Sequence, residues 1–449
     1  MLNYTWTVFR WATYAPLLGI KDRELLPHIS VLIPVYNESH FIRKSIESVI
    51  GSDYSKEKIQ LVVVDDGSTD DSYLHITESS AAAIGSSIDC TVVRHKHNSG
   101  KREALITAFR HSKHEIVVTL DSDSILRPGT LRNLVTPLIL SSTVGGVAGH
   151  ISVLNVASDG THILKTLVPR LLDILFEYGG NIPRSAQTKH GFVTILPGAI
   201  SAYRRSAIAP HIEDMATRTF LGHPLRHGED IELTMNVLRD GWQTIYQRNA
   251  VVHTTMPSSI RGAILTYIRW ERSSYTYLLL GYLQLAITEA CKSALGAFPG
   301  RFQEKTLESG DKEMGNTHQI ERSARVGDMY PVLSLTCTAL SSIFGIGTII
   351  FRLVALSTDP WIVVTDFFCL IIFSVWGSLL FVPDAMQEEL DSAEADLYRM
   401  SNHDDPGCCD GLSRLFWKLL YAPLACIFQT CFIVKRPNVR WTQNMQRSG

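Results

Sequence analysis

At 449 residues the chain is about three times the length of a typical domain, which excludes a disulfide-stapled mini-protein and implies two or three structural units. With 42 Lys and Arg against 44 Asp and Glu, the formal charge of −2 excludes both the global basicity of a nucleic-acid binder and the acidity of a solvating tail. Only 19% of the residues are charged and the mean hydropathy is +0.07, so part of the chain is expected outside water.

The first twenty residues carry Arg10 and five aromatics among apolar side chains. They lack a small-residue cleavage site, and the segment 1–27 is read as an interfacial or membrane segment rather than a cleaved signal. Residues 28–285 read as one soluble α/β unit. A β-branched apolar run at 29–35, ISVLIPV, is followed by a helical pattern at 41–50 and a second run at 59–64, IQLVVV. A strand at 91–94, a helix at 101–111 and a strand at 115–120 continue the alternation. Strands alternating with helices predict a parallel sheet, with ligands bound outside the carboxyl ends of its strands.

Acidic residues stand at two such ends. Asp65-Asp66 opens the sequence DDGSTD, which is also good turn chemistry. Asp121-Ser122-Asp123 ends EIVVTL, and two carboxylates one residue apart at a strand end project in roughly the same direction. That spacing suits a hard divalent cation that keeps waters and substrate phosphates in its shell. Between the two lies Asn98-Ser99-Gly100-Lys101-Arg102, a glycine turn opening a helix with two cations, suited to phosphate or to a solvated helix start. Further on, His227-Gly228-Glu229-Asp230 begins a helix, where Asp230 either serves chemistry or offsets the dipole. Arg269-Trp270 lies in a dense run of aromatics and arginines.

The C-terminal third is different. Residues 330–351 form 22 uncharged residues, enough to cross a hydrocarbon core that needs roughly 20. Residues 361–382 match that length with one carboxylate, Asp366, so 330–383 is read as a transmembrane hairpin after a polar linker at 286–329. An acidic loop at 384–410 precedes a third apolar run at 419–434, which is short and contains Pro423. Within 411–449, Arg414, Lys418, Lys435, Arg436 and Arg440 flank that run on both sides, favouring a re-entrant or interfacial segment and a cytosolic tail. The eight cysteines and 16 histidines form no metal-ligand spacing, and Cys408-Cys409 is a candidate for palmitoylation.

Taken in order and spacing, VLIPVYNE, VVVDDGSTD, NSGKREA, TLDSDS, GEDIEL and YIRW resemble family 2 glycosyltransferases with the GT-A fold. More narrowly, KREALITAF, VGGVAGHISVLN and the apolar tail are similar to hyaluronan synthases and chitin-synthase-like polysaccharide synthases. The resemblance implies a Rossmann-like, mostly parallel cytosolic GT-A domain followed by C-terminal transmembrane helices. It implies a UDP-sugar donor, a polysaccharide or glycan acceptor, and Mg²⁺ or Mn²⁺. Asp65, Asp66, Lys101, Arg102, Asp121, Arg269 and Trp270 are then expected at the donor nucleotide, and Asp123 with Asp121 at the metal. Asp230 is expected as general base, and Glu229 with Trp270 on the acceptor side.

The reaction implied is inverting transfer to a growing β-linked polysaccharide, hyaluronan-like or containing N-acetylglucosamine, coupled to export through the plasma membrane or an endomembrane. The alternatives are single-sugar transfer to a lipid or glycan, and a catalytically silent synthase subunit. Two departures bear on processivity: Thr266 stands where the family motif has glutamine, and His253-Thr254-Thr255 where relatives carry a carboxylate flanked by threonines. The short N-terminal membrane region means that a channel would need a second chain, as in a homo-oligomer.

Overall fold

A computed structural model describes residues 10–155, 163–220, 222–225 and 227–277, together with Thr7 and Gly281. The apolar runs at 330–351, 361–382 and 419–434, the linker, the acidic loop and Cys408-Cys409 lie outside the described residues. Among the described residues, no helix is long and apolar enough to cross a membrane.

Strands β1 (Ile29–Val35) and β2 (Ile59–Asp65) are buried at every position and pair in parallel from Ile29↔Ile59 to Val35↔Asp65. Burial on both faces is why they read as continuous apolar runs rather than alternating ones. Between them, α1 (Phe41–Ile50) turns Ile42, Ile46 and Val49 inward on one stripe. Burying each contributes roughly 1.5–3 kcal/mol. Next come α2 (Ser72–Gly85), β3 (Asp89–Arg94), α3 (Lys101–His111) and β4 (Ile116–Leu120). The expected helices at 41–50 and 101–111 fall on α1 and α3, and β3 begins two residues before the expected 91.

The second half continues with β5 (Ser124–Leu126), α4 (Thr130–Leu140), β6 (Val144–Val153) and α5 (Ile163–Leu175), then a π-helical turn, Phe176–Asn181. After it come α6 (Ile182–Thr188), β7 (Ile200–Arg204), α7 (Arg205–Thr217) and a small hairpin of β8 (Thr219–Phe220) and β9 (His223–Pro224). The described fold ends with α8 (Glu229–Arg239), β10 (Gln243–Thr254) and α9 (Ile260–Tyr277).

Eight strands form one sheet in the order β3-β2-β1-β4-β7-β6-β10-β5. The α/β, mostly parallel sheet expected from the sequence is present, but an unbroken parallel sheet is not. β7 runs antiparallel to both neighbours, β4 and β6, and β5 runs antiparallel to β10 at the edge. The reason is where the chain stands when β7 begins. Ala199 already lies at the carboxyl edge, where its carbonyl accepts from the Asp121 N–H (3.4 Å), so the strand that follows must run back across the sheet. Helices α1, α2 and α4 cover one face, and α3, α7 and α8 the other.

Residues 10–27, expected as a membrane or interfacial segment, pack on this domain where described. Trp11, Tyr14 and Leu26 are buried, Leu17 N donates to Gln247 Oε1 (3.0 Å), and Ile20 N to Thr136 Oγ1 (3.2 Å).

The loops at the carboxyl edge are tied to one another. Asn37 and Ser39, both at positive φ, lie in the loop after β1, and the Asn37 and Glu38 amides donate to Ser68 Oγ (3.0 Å) and Ser72 Oγ (2.8 Å). In the next loop, Gly67 has φ +72°, and a Cβ there would stand 2.7 Å from the His97 carbonyl carbon and 2.9 Å from Asn98 N. Both obstacles are backbone, so Gly67→Ala is expected to cost about 1–3 kcal/mol. Thermal unfolding checks this; an unchanged midpoint would show that the two loops are not in register as described.

Candidate active site

The site assembles at the carboxyl edge because the sequence puts polar residues directly after buried strands and at helix starts. Lys101 is the first residue of α3, Asp121 follows β4, Asp123 precedes β5, and Glu229 and Asp230 open α8. Acidic side chains in the first turn of α8 also complement its dipole.

Lys101 stands at the centre. Its Nζ is 2.6 Å from Asp121 Oδ1 and 3.2 Å from Glu229 Oε1, and its side chain is 39% exposed. Burial pulls its pKa down, but Asp121 and Glu229 outweigh that and hold it above the ordinary lysine value. Burial likewise raises Glu229, yet Lys101 wins and leaves it below the usual carboxylate value. Asp230 behaves oppositely: burial, then the Glu229 charge, pushes it up to about 6. Its Oδ1 accepts from the Ile231 N–H (2.9 Å). Lys101, Asp121, Gly198, Tyr203, Glu229 and Asp230 line one cleft. Two neighbouring carboxyls with opposed shifts are the pattern expected where one group must carry charge and another must exchange a proton.

A second acidic group adjoins the first. Asp123 Oδ1 accepts from Thr254 Oγ1 (3.2 Å) and Ser124 Oγ (3.4 Å). Burial, then Asp121, pushes Asp123 up to about 6, and burial, then Asp123 and Asp121, pushes Glu38 up to about 8. Sequence reasoning assigned no role to Glu38. Its signal was its place one turn beyond β1, a third acidic strand end. Among the described residues, no three His, Cys, Asp or Glu are arranged to hold one metal ion together. Mg²⁺ needs fewer, since it is bound through one or two carboxylates plus substrate phosphates. Asp121 and Asp123 are oxygen donors crowded with like charge, and that donor set fits Mg²⁺ or Mn²⁺.

Three expected donor residues stand differently. Asp65 is fully buried, accepting from the Ser68 N–H (3.0 Å) with Arg94 Nε 3.0 Å away. Asp66 is 1% exposed and holds the next loop, accepting from Ser99 N (2.9 Å) and Gly100 N (2.7 Å), with His95 Nδ1 at 2.7 Å. Arg102 does not line the cleft with Lys101; it is buried against Glu232 and Tyr277. Neighbouring residues on a helix point in different directions, so adjacency to Lys101 does not place Arg102 in the same pocket.

The role of Asp66 is thus to fix the turn that delivers Lys101. Asp66→Asn keeps the size but replaces one acceptor oxygen with a donor facing other donors. It is expected to cost about 1–3 kcal/mol of stability and to weaken UDP binding. Calorimetric titration of UDP with a parallel unfolding curve checks it; wild-type affinity at reduced stability would separate the loop from the ligand.

On α9, Arg269 is exposed and Trp270 packs edge-on against Tyr267 (5.5 Å) and Phe176 (5.9 Å). The His227 pKa is lowered first by burial and then by Arg269, and Ser273 and Tyr277 of α9 stand beside Gly228, so α9 reaches the start of α8. Of the departures, Thr254 bonds Asp123 as above. His253 takes Arg127 Nε on its Nε2 (3.0 Å), and burial holds it down to about 3, a neutral imidazole at physiological pH.

Comparison with known proteins gives a consistent picture. Residues 30–210 match the family model "Glycosyl transferase family 2". An N-acetylglucosaminyltransferase of Azorhizobium caulinodans is 32% identical over 252 residues, 56% of this chain and 60% of that protein. A hyaluronan synthase of Streptococcus pyogenes is 31% identical over 257 residues, 56% of this chain and 58% of that protein. The chain therefore spans about three fifths of the length of the curated relatives it matches. A mannosyltransferase from Pyrobaculum calidifontis, solved with GDP-Man and Mn²⁺, overlays 96% of this chain and 94% of its own at 19% identity and a TM-score of 0.47. The strand-end acids, the Lys101 turn and the family match all fall in one stretch, and residues 30–210 of this chain form a glycosyl transferase family 2 domain.

Proposed function

We propose that the chain transfers a sugar from a UDP-sugar, with inversion, to a hydroxyl of a growing β-linked polysaccharide that contains N-acetylglucosamine or is hyaluronan-like. The observation that carries this reading is the cleft in which Lys101 bridges Asp121 and Glu229 beside Asp230, whose pKa burial and the Glu229 charge push up to about 6. The similarity to an N-acetylglucosaminyltransferase and a hyaluronan synthase supports the choice of sugar and product.

The chemistry follows from the residues. An acceptor hydroxyl has a pKa far above neutral, so a positioned carboxylate must take its proton as the bond to the anomeric carbon forms. Asp230 takes that role. The departing diphosphate gathers negative charge, which Lys101 and Arg269 offset from fixed positions. Asp121 and Asp123 would hold a divalent cation, with Glu38 beside them; when bound, it neutralises the phosphoryl oxygens of the leaving group. Attack in line on an α-linked donor inverts the centre, giving a β bond. Trp270 offers an aromatic face to the acceptor, and Asp65 a carboxylate to the uridine once Arg94 moves aside.

In this reading the domain faces the cytosol of an integral membrane protein. The apolar runs at 330–351 and 361–382, read from the sequence as membrane-crossing, would receive the polymer. The test is UDP release by the full-length chain in membranes, offered a panel of UDP-sugars with Mg²⁺ or Mn²⁺, with the product sized. Donor-specific release with long polymer is expected. Short product alone would favour single-sugar transfer, and no release from any donor would favour a silent subunit.

A further inference from the structure

Three helices of the site meet in a buried network that catalysis as described does not use. Arg102 on α3 is 3% exposed. Its Nη1 bonds Glu232 Oε2 on α8, and its Nη2 donates to the hydroxyl of Tyr277 on α9 (2.7 Å). That hydroxyl in turn donates to Glu232 Oε2 (2.7 Å), closing a ring of three side chains. Arg102 also donates to the carbonyls of Met215 and His227 (both 3.3 Å), and Arg218 Nε stands 2.9 Å from Glu232 Oε1.

Tyr277 is 2% exposed and lies against Gly228, the residue before α8. Gly228 has φ +81°, and a Cβ there would be 2.6 Å from the Tyr277 ring. Tyr277 thus seats α9 directly on the start of α8, two residues from Asp230. Arg269 and Trp270 lie on the same helix, with Arg269 ~12 Å up the axis from Tyr277 at 1.5 Å per residue.

A buried ion pair is a weak stabiliser compared with apolar packing of the same volume. Its hydrogen bonds are directional, however, and three of them on one tyrosine–glutamate–arginine ring fix both the height and the rotation of α9. We propose that Tyr277, with Glu232 and Arg102, is the joint that sets the position of α9, and with it Arg269 and Trp270, relative to the start of α8. Its catalytic consequence rests on the glycosyl-transfer reading above. The three residues touch no substrate; they act through α9.

The test compares full-length Tyr277→Phe with Tyr54→Phe. Tyr54 donates to the Pro27 carbonyl (2.6 Å) from the core of the opposite sheet face, so its loss is structural only. Hydrogen exchange over 260–277 is expected to accelerate roughly tenfold in Tyr277→Phe and not in Tyr54→Phe. The turnover kcat is expected to fall about tenfold, equal to roughly 1.4 kcal/mol, with KM for the donor unchanged. Exchange and kcat moving no further than in Tyr54→Phe would overturn the joint, as would a lower kcat without faster exchange of α9. Selective loosening of α9 in a protein whose wild type turns over no donor would uphold the joint and sink the glycosyl-transfer reading instead.

Discussion

Asp230→Asn is expected to lower kcat by about 10²–10⁴-fold, the span attributed to a positioned general base, while UDP binding is retained. The amide keeps the volume of the carboxyl and its acceptance from the Ile231 N–H, but it cannot take a proton from the acceptor. The wild-type pH profile should carry the same signature. Only the ionised carboxylate works as a base, and burial with the Glu229 charge holds Asp230 at about 6, so kcat should fall as pH drops through that value. Stability should run the other way. The folded pKa lies above the ordinary 3.8, so the contribution of Asp230 to folding is present below that value and lost as pH rises through about 6. Steady-state rates between pH 5 and 8 check the profile; a wild-type kcat that is flat across this range would remove Asp230 from the role of base.

Asp121→Asn is the second large effect, with kcat/KM expected to fall on the order of 10²–10³-fold, the range for loss of one preorganised electrostatic group. Asp121 serves twice: it holds Lys101 Nζ at 2.6 Å, and it shares the strand end with Asp123. Neutralising it frees the lysine and halves the carboxylate pair available to a cation. More Mn²⁺ should then be needed for half-maximal rate, a shift that loss of Lys101 geometry alone would not produce. Rates titrated against Mn²⁺ at saturating donor decide it; an unchanged metal requirement would confine Asp121 to holding the lysine.

The first half of the fold was legible because β1, β2 and β4 are buried β-branched runs and the turns after them are polar. ISVLIPV and IQLVVV allow little else, and the stripe of Ile42, Ile46 and Val49 marks α1. The half from α4 to β10 was not. β6 carries Gly145, Gly146 and Gly149, and β10 mixes Gln, Arg and Asn among its apolar residues, so neither has a clean period. The direction of β7 depends on where a distant loop crosses the sheet, which no local pattern records.

The same division runs through the site. Lys101, Asp121, Glu229 and Asp230 were legible as polar residues after strands or at helix starts, and they line one cleft. Glu38 was not, because a single acid after a strand looks like turn chemistry until its neighbours are known. Arg102 was misplaced for a geometric reason: one step along a helix turns a side chain well away from its neighbour. Burial then selected Glu232 and Tyr277 as its partners.

The central claim is inverting transfer at the Asp121, Asp123 and Asp230 edge, and the configuration of the new bond tests it most directly. Full-length protein given an α-linked UDP-sugar, UDP-N-acetylglucosamine first, and a glycan acceptor should yield a β bond by the anomeric proton coupling, formed at least about a hundredfold more slowly by Asp230→Asn. An α-configured product, or a variant that still forms the bond near the wild-type rate, would contradict the account.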